Sequence, residues 1–156
     1  MRQKARVYAA ERECRFWVDG PTLDQAGCNE FISRALKLAW VRDRYKRPKV
    51  TRFYPKVGDW SFPASGGMGP ARKLGTKKDV RALKNYFLPG ERFVQLPLWA
   101  RNPHVICHEL SHAFEYHDGH GEDFCWCFLR LVKDMMGWWP REELKVAMVR
   151  NKVKIA

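Results

Sequence analysis

The residues with the clearest capacity for chemistry are His108-Glu109-Leu110-Ser111-His112, followed eight residues later by His120-Gly121-Glu122-Asp123-Phe124. All five histidines of the chain fall between His104 and His120. On an α-helix, residues four apart share a face, so His108 and His112 can offer their imidazoles to one ion. Zinc suits such a pair, because it accepts imidazole nitrogens at about 2.0–2.1 Å and, in catalytic sites, takes three protein ligands and leaves a fourth position to water. Glu109, beside the first ligand, is the expected general base. His120 is the expected third ligand, since a residue from a separate segment closes a tetrahedron more easily than His117, which follows His112 by five residues on the same helix. His104 lies one turn before His108 and is expected to line the cleft or hydrogen-bond. Glu115, Glu122 and Asp123 could orient a ligand histidine or replace one, although acids at a helix start are the plainer reading of the last two. Tyr54, Tyr116 and Arg101 are candidates for stabilising an oxyanion.

These residues need a helix to carry them, and the flanking sequence supplies its signals. Asn102 can cap a helix and Pro103 suits its first turn. Ile106, Leu110, Ala113 and Phe114 form an apolar stripe away from the two histidines. Asp118-Gly119-His120-Gly121 has the composition of a turn that lets His120 fold back toward the pair. Just upstream, Arg92 to Leu98 reads as a strand whose exposed edge could pair with an extended substrate backbone. Downstream, Asp123 to Met136 is predicted helical, with Phe124, Phe128, Leu131 and Met135 inward and Gly137 as the stop. Pro140 is predicted to start a last helix through Leu144, Ala147 and Met148 to about Lys152.

The remaining elements are weaker. Arg2 to Trp17 is predicted to hold a short helix with Val7, Ala10 and Cys14 inward. Thr22 is predicted to cap a long helix to about Tyr45, with Cys28, Phe31, Ile32, Ala35, Leu36 and Ala39 in one stripe. Val50 to Val57 gives a weak strand pattern before Gly58-Asp59. Ser65 to Gly75 reads as a loop or irregular hairpin, and Asp79 to Phe87 as a short helix before a Pro89-Gly90 turn. The expected architecture is one α+β domain spanning 1–156, with helices packed on a small antiparallel or mixed sheet.

Composition sets outer limits on function. A chain of 156 residues with 46% hydrophobic content can bury one core. Five cysteines at irregular spacings, without a CxxC pair, argue against a disulfide framework or zinc ribbon and for a reducing compartment. With no signal-peptide core or membrane-spanning run, a cytoplasmic location is expected. Charge is uneven. Between Arg34 and Lys84, fifteen Lys or Arg stand against three Asp, a net of +12 that equals the charge of the whole chain. Between His104 and Asp123 there are five acids and no Lys or Arg. The basic segment, with Arg42 to Lys49 grouped around Tyr45, suits phosphate contact and stacking, so a nucleic-acid partner is expected there and not at the acidic histidine window.

The pattern HExxH with a downstream HGxxF resembles the SprT-like zinc metalloproteases, a family whose members include a DNA-dependent protease. Leu96-Pro97-Leu98-Trp99-Ala100-Arg101 and the opening Arg6-Val7-Tyr8-Ala9-Ala10-Glu11 further resemble small metallohydrolases of actinobacteria and their phages. The resemblance covers roughly Gln95 to Gly137. It implies a zincin-like fold, zinc on His108, His112 and His120, Glu109 as catalytic acid/base, and a protein or peptide substrate. The cysteine zinc ribbon that often follows in that family has no counterpart here. Two other functions compete with a zinc peptidase. One is a nucleic-acid-binding protein with a structural metal, which would not require a carboxylate at Glu109. The other is a hydrolase of a non-peptide amide.

Overall fold

The computed structural model describes residues 3–15, 20–55, 63–69 and 91–156. Among them are six α-helices: α1 (Lys4–Arg12), α2 (Gln25–Leu36), α3 (Ala39–Arg44), α4 (Pro103–Phe114), α5 (Glu122–Met136) and α6 (Trp138–Arg150). Three short strands, β1 (Thr51–Phe53), β2 (Ser65–Met68) and β3 (Arg92–Gln95), form a mixed sheet in the order β1-β3-β2. The fold is thus α+β, as expected. The expected Asp79–Phe87 helix, the turns at Gly58-Asp59 and Pro89-Gly90, and most of the Ser65–Gly75 stretch lie outside the described residues.

The helix α4 is the centre of the fold. Asn102 caps it by accepting from the Val105 amide at 3.1 Å, and Pro103 occupies the first turn, where its missing N–H costs nothing. Ten of its twelve residues are buried. The sequence suggested an apolar stripe opposite a polar face, but the helix is covered on both sides, by β2 and β3 on one and by α5 on the other. Polar side chains on α4 therefore need partners within the protein, since an unpaired buried polar group is costly. Ser111, for example, donates to the Cys107 carbonyl at 2.7 Å.

Strand β3 is the middle strand. It pairs in parallel with β1 (Thr51 opposite Phe93) and antiparallel with β2 (Gly66 opposite Val94). The expectation of an exposed edge on this strand is corrected: both its edges are occupied. It also ends sooner than expected, at Gln95. Pro97 has no N–H for a ladder, and Leu98–Ala100 forms a 3-10 turn leading into α4. Among the described residues, the outer strand beside α4 is β2, in a stretch that reads as a loop by composition. Its glycines explain both facts. A Cβ on Gly66 would stand 2.0 Å from the Glu109 carbonyl oxygen, so only a bare backbone lets β2 lie against α4.

Two further boundaries differ. The predicted Thr22–Tyr45 helix is two helices, capped by Asp24 (accepting from the Gly27 amide at 2.6 Å) and interrupted at Leu38, whose backbone is extended. The interruption turns α3 so that Val41 and Tyr45 reach the core, an instance of packing overriding local propensity. Around α4 the core is closed by Val7 and Ala10 of α1, Phe31, Ile32 and Ala35 of α2, Phe124, Phe128 and Leu131 of α5, and Leu144 and Met148 of α6. All five cysteines are buried with free thiols. Among the described residues, no helix is long and apolar enough to cross a membrane.

Candidate metal centre

His108 and His112 project from successive turns of α4, and the 115–121 turn brings His120 onto them. Their Nε2 atoms lie 3.2 Å (His108–His112), 3.1 Å (His112–His120) and 3.3 Å (His108–His120) apart. Three imidazole nitrogens this close cannot all carry protons, and with each ring neutral and protonated on Nδ1 their lone pairs converge on one point. For a tetrahedral ion with ligands at about 2.0–2.1 Å, the ligand–ligand edge is roughly 3.3–3.4 Å, so this donor set fits a metal ion of zinc's size. His108 and His120 are buried and His112 is half-buried, and among the described residues His120 Nδ1 has no hydrogen-bond partner.

The HGxxF segment owes its form to three contacts. Asp118 caps α5 by accepting from the Phe124 amide at 2.9 Å, and its carboxylate occupies the space where a Cβ of Gly121 would lie, 2.4 Å away. Gly121 is therefore required by its neighbour and not by its φ. Phe124 then stacks on His112, with centroids 4.4 Å apart, and packs edge-on against His108 and His120. Each of the three histidine rings is thus braced by an aromatic ring, which holds its orientation and excludes water.

The electrostatics keep two of the three histidines neutral. Burial, followed by the neighbouring His108, pushes His112 down to about 2 and His120 down to about 4. His108 moves the other way: burial opposes its protonated form, but the Glu11 carboxylate hydrogen-bonded to it raises its pKa overall. Glu109 is raised to about 7, chiefly by burial, with His108 lowering and Glu11 raising it. A carboxyl poised near neutrality matches the requirement for a general base.

Sequence reasoning missed the contribution of α1. Glu11 is fully buried, and its carboxylate accepts from His108 Nδ1 at 2.7 Å. With Nδ1 holding the proton, His108 Nε2 presents its lone pair to the cluster. Tyr8, one turn earlier, stacks on the His108 ring at 5.6 Å and 12° and leans on His120 at 5.2 Å. Burial and then the charges of Glu109 and Glu11 push its phenol up to about 12. A signal for Glu11 did exist. It lies four residues after Val7 and three before Cys14, inside the stripe predicted to face inward, and a carboxylate there demands a buried partner.

Other candidates take different places. His117 is exposed and groups with Glu115 and Asp123, apart from His108, His112 and His120. His104 is buried one turn before His108 and is lowered to about 4 by burial and by His108. Glu115 orients no ligand histidine. It accepts from Arg44 Nε at 2.9 Å and from the Tyr45 hydroxyl at 2.8 Å, which ties α3 to the end of α4. Glu122 and Asp123 sit in the first turn of α5. Arg101 is committed to the carbonyls of Leu96 and Pro55 at 3.0 and 3.1 Å, and the Tyr54 hydroxyl to Asn29 at 2.6 Å. Tyr116 is half exposed beneath Arg92.

Within the basic segment, Arg42, Arg44, Lys46, Arg47 and Lys49 are exposed. Tyr45, expected among them as a stacking platform, is buried against Phe114 at 4.8 Å and unavailable to a base. Residues 56–62 and 70–84 of the segment lie outside the described residues. Comparisons of the chain with family models, curated proteins and solved structures return no match.

Proposed function

We propose that the chain is a zinc-dependent peptidase of the SprT-like type, with His108, His112 and His120 holding the ion and Glu109 as general base. The observation that carries the reading is the convergence of three Nε2 atoms at the edge length of a zinc tetrahedron, beside a buried carboxyl near neutrality. Bound zinc would supply Lewis acidity, polarising a carbonyl and acidifying water. Glu109 takes a proton from the attacking water and returns it to the leaving amine, the two halves of one general acid–base cycle. Phe124 and Tyr8 keep the ligand rings in place. A substrate backbone lies along β2, the outer strand against the Glu109 turn of α4, where it adds to the sheet by main-chain hydrogen bonds.

Glu109 also sets this reading against a structural metal, since a brace needs ligands and no base. Glu109→Gln keeps size and polarity while removing the base, so it should retain zinc and fold and lose at least about a hundredfold in turnover of unfolded or DNA-bound protein. Wild-type turnover in that variant would refute the mechanism. The exposed cations Arg42, Lys46, Arg47 and Lys49 support a nucleic-acid surface beside the catalytic unit, placing the enzyme near nucleic-acid-bound substrates.

A further inference from the structure

We infer that α1 is a working part of the metal centre, and that Glu11 is a positioning residue which sets the tautomer, orientation and ligand strength of His108. The inference deepens the proposed function and rests on its metal site. Four observations converge on it. Glu11 is fully buried 97 residues away in sequence from the histidine it contacts, and its hydrogen bond to Nδ1 is 2.7 Å. A buried carboxylate is expensive to keep unless something repays it. Among the described residues its second oxygen has no hydrogen-bond partner, so the bond to His108 is the one the carboxylate makes there. The same helix holds a second ligand from its N-terminal end: Gln3 Nε2 donates to the His120 carbonyl at 2.9 Å and to the Lys154 carbonyl at 3.1 Å, while the Lys154 amide donates to Gln3 Oε1 at 2.9 Å.

Between these two holds, the Tyr8 ring lies flat on His108 and against His120. One face of α1 therefore touches two of the three ligands from outside the ion's coordination shell. A carboxylate on the far nitrogen of a ligand imidazole fixes the tautomer and makes the near nitrogen a stronger donor, and its removal characteristically weakens metal binding by about 10–100-fold. Among the described residues, the group that contacts His108 Nδ1 comes from α1 and not from the HExxH helix. Helix α1 is remote in sequence, so metal affinity depends on α1 being docked.

The test is zinc affinity measured by chelator competition on folded protein, for wild type, Glu11→Gln, Glu11→Ala and the exposed control Glu13→Gln. Glu11→Gln keeps an oxygen acceptor for Nδ1 but loses the charge, and should bind zinc about tenfold more weakly; Glu11→Ala should approach the hundredfold end. Cobalt substituted into the two Glu11 variants should show shifted visible absorption bands, a change that packing alone would not produce, while Glu13→Gln matches wild type in both readouts. If Glu11→Ala fails to fold, Glu11→Gln carries the test. Zinc affinity in Glu11→Gln within about fivefold of wild type, whatever its melting temperature, overturns the inference. A wild-type protein that takes up no zinc would instead remove the metal centre itself.

Discussion

Gly66→Ala is the sharpest test of how the sheet holds the site. A methyl at this position would lie 2.0 Å from the Glu109 carbonyl oxygen, 2.7 Å from its carbon and 3.0 Å from its Cα. All three are backbone atoms, so no rotamer change relieves the clash. Since real Cβ contacts essentially never fall under 3.0 Å, β2 and α4 must separate by roughly 1 Å, which forfeits a good part of the dispersion energy across the contact. Overpacking of this kind costs about 1–3 kcal/mol, and the rigid neighbour places this case at about 2 kcal/mol or more. For a domain of this size that is a drop of roughly 4–8 °C in melting temperature. Gly67→Ala is the matched control. Among the described residues its Cβ would meet only the Phe93 ring at 3.7 Å, an ordinary contact, so its stability should stay within about 0.5 kcal/mol of wild type. Paired thermal and urea unfolding would measure the difference, with zinc affinity as a second readout, because displacing the Glu109 backbone also displaces His108. Equal stability of the two variants would show that β2 does not lie on α4 as described.

Other perturbations separate neighbouring residues of like charge. Arg44→Ala removes charged hydrogen bonds from buried Glu115 and should cost about 1–3 kcal/mol in urea unfolding, whereas Arg42→Ala, on an exposed side chain, should be near neutral; equal effects would refute the role given to Arg44. Neutralising Arg42, Lys46, Arg47 and Lys49 together, with Arg44 kept so that Glu115 stays paired, should flatten the salt dependence of DNA binding by up to about 0.9 in log–log slope per lost phosphate contact. Unchanged affinity would reduce these cations to a solubilising surface. The metal-free protein should lose stability on acidification from pH 6.5 to about 4.5. In that window the unfolded chain protonates His104, His112 and His120, which the folded protein keeps neutral because their pKa values are lowered to about 4, 2 and 4. His108, raised, stays protonated when folded and slightly opposes the trend as the unfolded chain takes up the same proton, and Glu109, raised to about 7, opposes it with a single proton. Urea unfolding at three pH values checks the sign, and stability that is flat or rises on acidification would contradict it.

The site was legible in sequence where its geometry is local. His108 and His112 are fixed by one helical turn, and the Asn102-Pro103 start and the glycine-flanked His120 are short-range signals, so the histidine cluster could be anticipated. The α5 and α6 faces were legible for the same reason: Phe124, Phe128, Leu131, Leu144 and Met148 follow helical spacing and are buried. What escaped depends on packing between distant segments. Glu11 gains its meaning from His108, which no local pattern connects to it. Gly66 looked like loop composition because glycine's use here is to admit another backbone, and β3 looked like an edge because strand neighbours are not encoded in the strand itself. Tyr45 shows the converse hazard. Its charged neighbours suggested a stacking platform, but its ring and hydroxyl are taken up by Phe114 and Glu115.

The central claim, that three histidines hold one zinc ion, is tested most directly by the metal content of purified protein, compared among wild type, His120→Ala and His117→Ala. Wild type and His117→Ala should each contain about one zinc per chain, and His120→Ala should contain far less, because losing one of three ligands leaves an incomplete shell. Full zinc retention in His120→Ala together with loss in His117→Ala would contradict the assignment.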